Sequence, residues 1–371
     1  MNHRTNIPTA IGLAFAIAAV FVSPLHADPP GPPPGPPGDT MKSLQEIWDK
    51  IGALEAQNVA LLQQLGALTA TPGSGFPMEF VHVLDAGNAE DPLNSGSFPG
   101  IGAVDYAYRI GKYEVTNAQY AQFLNAVAAT DTNFLFGGGE IARSGGSGSY
   151  TYAAKPAMGD KPVIDVNWYE AARFCNWLHN GQPSGAQDNT TTEDGAYTLT
   201  NSFTVTLPGS DPVHGANGRN AGAKYYLPND SEWYKAAYHQ PAEQGGDADN
   251  YWLYPTRSNT PPTVATADAT GNIDNDAANI ANYDFGADWN GEDGNVTTVG
   301  SGGVGSASYY GAFDMGGNVW EWNEELVTAS NRGIRGSSRR NDSDLMQSSY
   351  RSDNINPITA HDVVGFRVAA P

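Results

Sequence analysis

Beyond about residue 76 the chain never settles into a long periodic run; short helix-start signals alternate with stretches rich in Gly, Asn and Ser. That pattern restricts it to a fold of short elements and much irregular backbone. Such a backbone must be held by side-chain-to-backbone hydrogen bonds or by bound ions. Three of the helix starts share one device. Thr116 is followed three residues on by Gln119, Asn167 by Glu170, and Asn229 by Glu232. In each pair the first side chain accepts from a backbone N–H of the first turn, and the Gln or Glu reaches back to the N–H of the cap. Each such cap is worth roughly 1 kcal/mol. Met78 to Leu84, MEFVHVL, reads as a strand.

The chain has one cysteine in 371 residues, so no intrachain disulfide can form. That cysteine, Cys175, lies in a helical segment where Trp168, Ala171, Cys175 and Leu178 share one face, which marks it as a small core residue. Eight Trp and 18 Tyr supply the bulk of a core. Nineteen Lys and Arg stand against 40 Asp and Glu, a net charge of -21. This balance argues against nucleic acid and against anionic lipid, because both need clustered cations. It suits a soluble protein that binds cations or neutral ligands.

Residues 1–27 have the form of a signal peptide. Arg4 gives the positive start, Ala10 to Val22 the apolar run, and Leu25-His26-Ala27 the cleavage site. The run is shorter than the ~20 apolar residues a membrane span needs, and retention as an anchor is the alternative. The expected location is therefore outside the cytoplasm, in a periplasm, on a cell surface or in the medium, with no membrane contact after cleavage. Residues 28–40 contain DPPGPPPGPPG, a stiff polyproline-type linker. Residues 41–70 carry a heptad with Leu44, Ile51, Asn58 and Leu65 at one seam position and Ile47, Leu54, Leu61 and Leu68 at the other. Self-association through this helix would bury the seam, with Asn58 setting register as a dimer or trimer. Packing on the chain's own globular domain is the alternative.

The segments YRIGKYEVTNAQYAQFLNAV, KPVIDVNWYEAARFCNWL, KYYLPNDSEWYKAAY, GAFDMGGNVWEW, GIRGSS and GFRVAA occur in this order between residues 108 and 370. Together they resemble the sulfatase-modifying factor family, which includes the formylglycine-generating enzyme. The resemblance spans 76–371 and implies an α+β, C-type-lectin-like fold with much irregular structure. In catalytic members two cysteines follow the GGS-like turn, bind Cu(I) and oxidise a substrate cysteine. Here the first cysteine position falls at Arg340 and the second near Asp344 or Leu345, and SSRRNDSDLMQSSYR holds no cysteine. Soft thiolates suit Cu(I) and little else replaces them, so copper is not expected.

The resemblance also implies structural Ca²⁺. One site would use the side chains of Asp314 and Glu321 with the carbonyls of Gly317 and Val319. A second would use the side chains of Asn282 and Asp293 with the carbonyls of Tyr283 and Asn295. Ca²⁺ takes such hard oxygens. A core ion pair for Glu321 and a turn role for Asp293 before Gly294 are the alternatives. Trp320, Ser337, Arg339, Arg340 and Arg351 form the candidate ligand cleft, with the arginines reading an anion or carboxylate. For these the alternatives are a core Trp, a turn hydrogen bond from Ser337, and surface ion pairs. Three functions follow: a scaffold or binding head for a peptide or glycan on an oligomeric stalk, an oxidase of the formylglycine class, or a non-catalytic partner of such an enzyme.

Overall fold

The structure, a computed structural model, describes residues 78–199, 218–275, 278–327, 331–352 and 355–371. The signal-peptide, linker and heptad segments lie outside the described residues. The chain divides into two units, Met1–Thr71 and Pro72–Pro371, and all the described residues belong to the second.

All three capping boxes form. Helix α1 (Asn117–Val127) is capped by Thr116 with Gln119, α2 (Trp168–His179) by Asn167 with Glu170, and α3 (Asp230–Tyr238) by Asn229 with Glu232. Strand β1 (Phe80–Val83) pairs antiparallel with β2 (Tyr108–Gly111). The hairpin β3 (Ile141–Ser144) and β4 (Thr151–Ala154) follows α1. After α3 come the short parallel pair β5 (Thr263–Val264) and β6 (Ile280–Ala281). Strand β7 (Trp320–Leu326) lies between antiparallel β8 (Arg332–Arg335) and parallel β9 (Val364–Gly365). The last strand, β10 (Ala369–Ala370), returns to β2, so the chain's end closes the sheet that its first described strand opens.

Helix α2 is the centre of the core. Every residue from Trp168 to Leu178 is buried, not only the face that contains Cys175. The burial of two polar interior side chains, Arg173 and Asn176, is tolerated because both are satisfied. Arg173 donates to both oxygens of Glu193 at 2.8 Å, and Asn176 donates to the carbonyls of Thr192 and Tyr197. Asn117 likewise donates to the carbonyls of Met158, Lys161 and Pro162. Side chains thus replace a ladder where the backbone is irregular. Phe123, Phe174, Trp177 and Phe366 interlock edge-to-face and tilted around α2. Cys175 is fully buried, and burial pushes its thiol well up, so it has none of the character of a reactive thiolate.

Candidate functional site

The site is built from the loops that meet around β7. Trp320 opens this strand and is 95% buried; its indole N–H donates to Asn341 Oδ1 at 2.9 Å, and its ring tilts against Tyr350 at 5.8 Å. Of the two roles open to Trp320, the structure gives the core one. The turn after β8 holds Gly336 and Ser337, both with positive φ. Ser337 is fully buried at φ 68 and its hydroxyl makes no hydrogen bond, so the expected turn hydrogen bond is absent. Held in the left-handed conformation, its side chain is not set for the local bond an ordinary turn serine makes. A non-glycine residue held there stores backbone strain.

The three arginines separate. Arg351 donates to Asp230 Oδ2 at 2.7 Å, in a network where Arg335 also grips Asp230 at 2.6 and 3.0 Å and Asn323 donates at 2.9 Å. Arg351 is therefore a support for the core, not a free cleft residue. Arg340 is the surface ion pair that the alternative expected, with Asp362 as its partner. Arg339 fits neither expectation. It is 98% buried, its Nε and Nη1 have no hydrogen-bond partner, and its nearest carboxylate oxygen is Asp362 Oδ2 at 3.9 Å from Nη2. Burial, reinforced by Arg340, lowers its pKa to about 10.

The residues expected to hold calcium lie on two neighbouring stretches. Glu321 is fully buried and is gripped by Arg367: Nε donates to Oε2 at 2.6 Å and Nη2 to Oε1 at 2.5 Å. Trp233 Nε1 adds a third donor at 2.7 Å. The core ion pair expected as the alternative for Glu321 thus exists, and the GFR segment supplies its cation. Two further carboxyls act on this pair. Asp314, at φ 54, accepts from Gly300 N at 2.6 Å, and burial raises its pKa to about 6. Glu114 is buried, and burial together with Asp314 pushes its pKa well up; its Oε2 has no partner. Glu114 is not legible in the sequence, where nothing in GKYEVTN distinguishes it from a surface residue.

In the second set, Asn282 is buried and donates to the Asn295 carbonyl at 2.9 Å, while its own Oδ1 has no partner. Asp293 is exposed, in the turn before Gly294 at φ 68. Gly317 joins the two sets. Its φ is 83, and a Cβ there would lie 2.4 Å from the Asn282 carbonyl, so only glycine lets these two segments approach. Among the described residues no three His, Cys, Asp or Glu side chains are grouped as a metal centre. Any cation here would depend largely on carbonyl and amide oxygens.

This combination of a sparse α+β scaffold, a WEW strand locked to a terminal GFR, and a turn without cysteines defines a formylglycine-generating-enzyme-like head without its thiols. The family model for the sulfatase-modifying factor enzyme 1-like domain matches residues 83–371, and the chain belongs to that family. Its single cysteine leaves it without the catalytic pair. Among solved structures it is similar to the crystal structure of CarF, at 20% identity over 80% of this chain and 98% of that one, TM-score 0.48. It is also similar to Treponema denticola variable protein 1, at 18% identity over 79% and 94%, TM-score 0.39. PvdO from Pseudomonas aeruginosa follows at 15% identity over 80% and 92%, TM-score 0.40. No curated protein matches the chain.

Proposed function

We propose that the protein is an exported, non-oxidising member of this family, a ligand-binding or scaffold head carried on a self-associating stalk. One observation carries the first part. The segment in which a copper-binding pair would lie, 337–351, contains no sulfur ligand except Met346, which is fully buried. The only thiol is sealed in α2. Copper(I) chemistry needs soft ligands, and arginine at position 340 is a cation that repels the metal. The decisive assay is conversion of a Cys-x-Pro-x-Arg peptide to the aldehyde in the presence of Cu(I) and oxygen, with copper content measured on the same sample.

The stalk rests on the heptad over 41–70. Deleting residues 39–70 is expected to leave a folded monomer by light scattering, and an unchanged oligomer mass would remove the stalk. The multivalent display it implies would raise avidity through effective concentration.

Calcium belongs to the same proposal. The unpaired Asn282 Oδ1, and the excess of Glu114, Asp314 and Glu321 over the single Arg367, both favour a bound cation. Asp314, Gly317, Val319 and Glu321 would hold one ion, and Asn282, Tyr283, Asp293 and Asn295 the other. The ions would supply structural charge and no reaction step. Saturating Ca²⁺ at about 100 times its Kd would add about 2.7 kcal/mol of stability. Chelation is therefore expected to lower the melting temperature, and a melting curve indifferent to chelator and to added Ca²⁺ removes both sites.

A further inference from the structure

The corner that follows β1 is fastened almost entirely by titratable side chains. Leu84, Asp85 and Ala86 are exposed, and no backbone hydrogen bond joins any of them to another described residue. Asp85 turns the chain here at φ 62, in the left-handed region. Side chains supply what the backbone does not. Lys235 Nζ donates to the Asp85 carbonyl at 2.6 Å, and the Tyr310 hydroxyl reaches the Leu84 carbonyl at 3.5 Å. The Asp85 carboxylate faces His239 Nε2 at 3.5 Å. Lys235 and His239 stand one turn apart at the end of α3, where the His239 N–H donates to the Lys235 carbonyl.

The histidine is placed to be neutral. It is 97% buried, stacked on Tyr310 at 6.2 Å and edge-to-face with Tyr251 at 5.0 Å. Nε2 faces a carboxylate, which only accepts, so Nε2 carries the ring proton. Nδ1, 2.7 Å from the Tyr310 hydroxyl, then accepts from it. A second proton would sit on Nδ1, end that hydrogen bond, and put a buried cation near the ammonium of Lys235. Burial lowers the pKa of the ring to about 4; Asp85 and Glu243 favour the charged form, and Lys235 opposes it. With Tyr251 and Tyr310, these are the titratable groups around the ring among the described residues.

We infer that His239 is the latch of a proton-operated clasp: the neutral ring holds the 84–86 corner against the end of α3, and the protonated ring releases it. The corner is the natural part to move. Its backbone has no ladder to break, and the Asp85 side chain over Nε2 is already 47% exposed. Displacing it gives the ring edge to water, where an imidazolium is well solvated.

The sign follows from the open form binding the proton more readily. The clasp is complete above the ordinary histidine value of 6.5 and weakens as pH falls toward about 4. Lys235 does not share this window. Burial lowers its pKa to about 8, so its own contribution changes only between there and its ordinary 10.5. Release also has a path inward. The next residue, Gly87, donates to the Val104 carbonyl at 2.8 Å, and further along Tyr251 donates to the Ala89 carbonyl at 2.6 Å. Tyr234 donates to the Asp91 carboxylate and lies under Arg335, the partner of Asp230.

The test is amide hydrogen exchange of the full-length chain between about pH 7 and about pH 5, with protection corrected for the intrinsic pH dependence of exchange. The Gly87 N–H, beside the corner, is the reporter, and the buried helix α2 is the internal control. A ring that titrates near 6.5 when open and about 4 when closed makes Gly87 protection fall about 20-fold over this range, while α2 holds its protection. His239→Gln, which cannot take up the proton, should change by less than about threefold. His82, the exposed imidazole on β1, is the neighbour that could mimic the effect, and His82→Gln should leave the fall intact. Constant Gly87 protection in the wild type, an undiminished fall in His239→Gln, or a fall abolished by His82→Gln would each overturn the clasp. Should His239→Gln fail to fold, the wild type and His82→Gln decide.

Discussion

Arg367→Met is expected to cost about 3–5 kcal/mol, the usual penalty for stranding a buried charge. The side chain is fully buried, and each of its three nitrogens donates. Besides its two bonds to Glu321, Nη1 donates to the Gly111 carbonyl and Nη2 to the Phe313 carbonyl, each at 2.9 Å. Removal would leave Glu321 without its counter-ion and would strip Glu114 and Asp314 of the positive charge that favours their ionised forms. Two backbone carbonyls would lose their donors as well. Since domains of this kind hold only about 5–15 kcal/mol in total, the loss should be plain in a urea unfolding curve as a lowered midpoint. Arg367→Lys keeps a charge but not the fork, so it should fall between wild type and Arg367→Met. A midpoint for Arg367→Met within about 1 kcal/mol of wild type would mean the pair is not the lock of this domain.

Asp230→Ala should be nearly as damaging, again about 3–5 kcal/mol. One carboxylate here serves Arg335, which is fully buried, Arg351 and Asn323. Arg335 also lies over the ring of Tyr234 at 5.0 Å, and Arg351 over that of Phe98 at 4.6 Å. Asp230 further sits in the first turn of α3, where a negative charge meets the positive end of the helix. Burial opposes its ionisation, but Arg335 and then Arg351 outweigh it and hold the carboxyl below its ordinary value. The sign of the pH effect follows. The unfolded chain takes up the proton first as pH falls, so the stability Asp230 contributes is full above about pH 4 and drains away through its lower folded pKa. Acid unfolding of the wild type should therefore steepen below about pH 4, and Asp230→Ala should lack that part of the fall. Equal slopes in both proteins would count against it.

The two networks also explain which features can be read from the sequence. The three helix caps are legible because each device is complete within four residues: Thr116 with Gln119, Asn167 with Glu170, Asn229 with Glu232. Cys175 is legible from its helical neighbours. The lack of a cysteine pair requires only the ordered family segments. The locks of the core are not legible as pairs. Glu321 finds Arg367 across 46 positions and Asp230 finds Arg335 across 105, and only the tertiary fold brings them together. The arginines of the turn show the same limit. Arg339, Arg340 and Arg351 look alike in RRNDSDLMQSSYR, yet one is buried with two nitrogens lacking a hydrogen bond, one lies in an exposed ion pair, and one braces the core. Asp362 carries no local mark at all, although it is the carboxylate nearest to the first two. Trp320 reads equally well as groove or core, and its burial decides for core.

A fold shared with an oxidising family does not bring the oxidation with it, because the reaction belongs to two thiolates and a copper ion rather than to the scaffold. In this chain the scaffold's own locks are intact, while the positions where the thiols would fall hold Arg340 and Asp344 or Leu345 instead. The most direct measurement is copper content and aldehyde yield on one preparation of the full-length chain, loaded with Cu(I) and supplied with oxygen and a cysteine-containing substrate peptide. No retained copper after desalting, and peptide recovered with its cysteine unchanged, is the predicted result. One equivalent of bound copper together with formylglycine in the peptide would contradict the account.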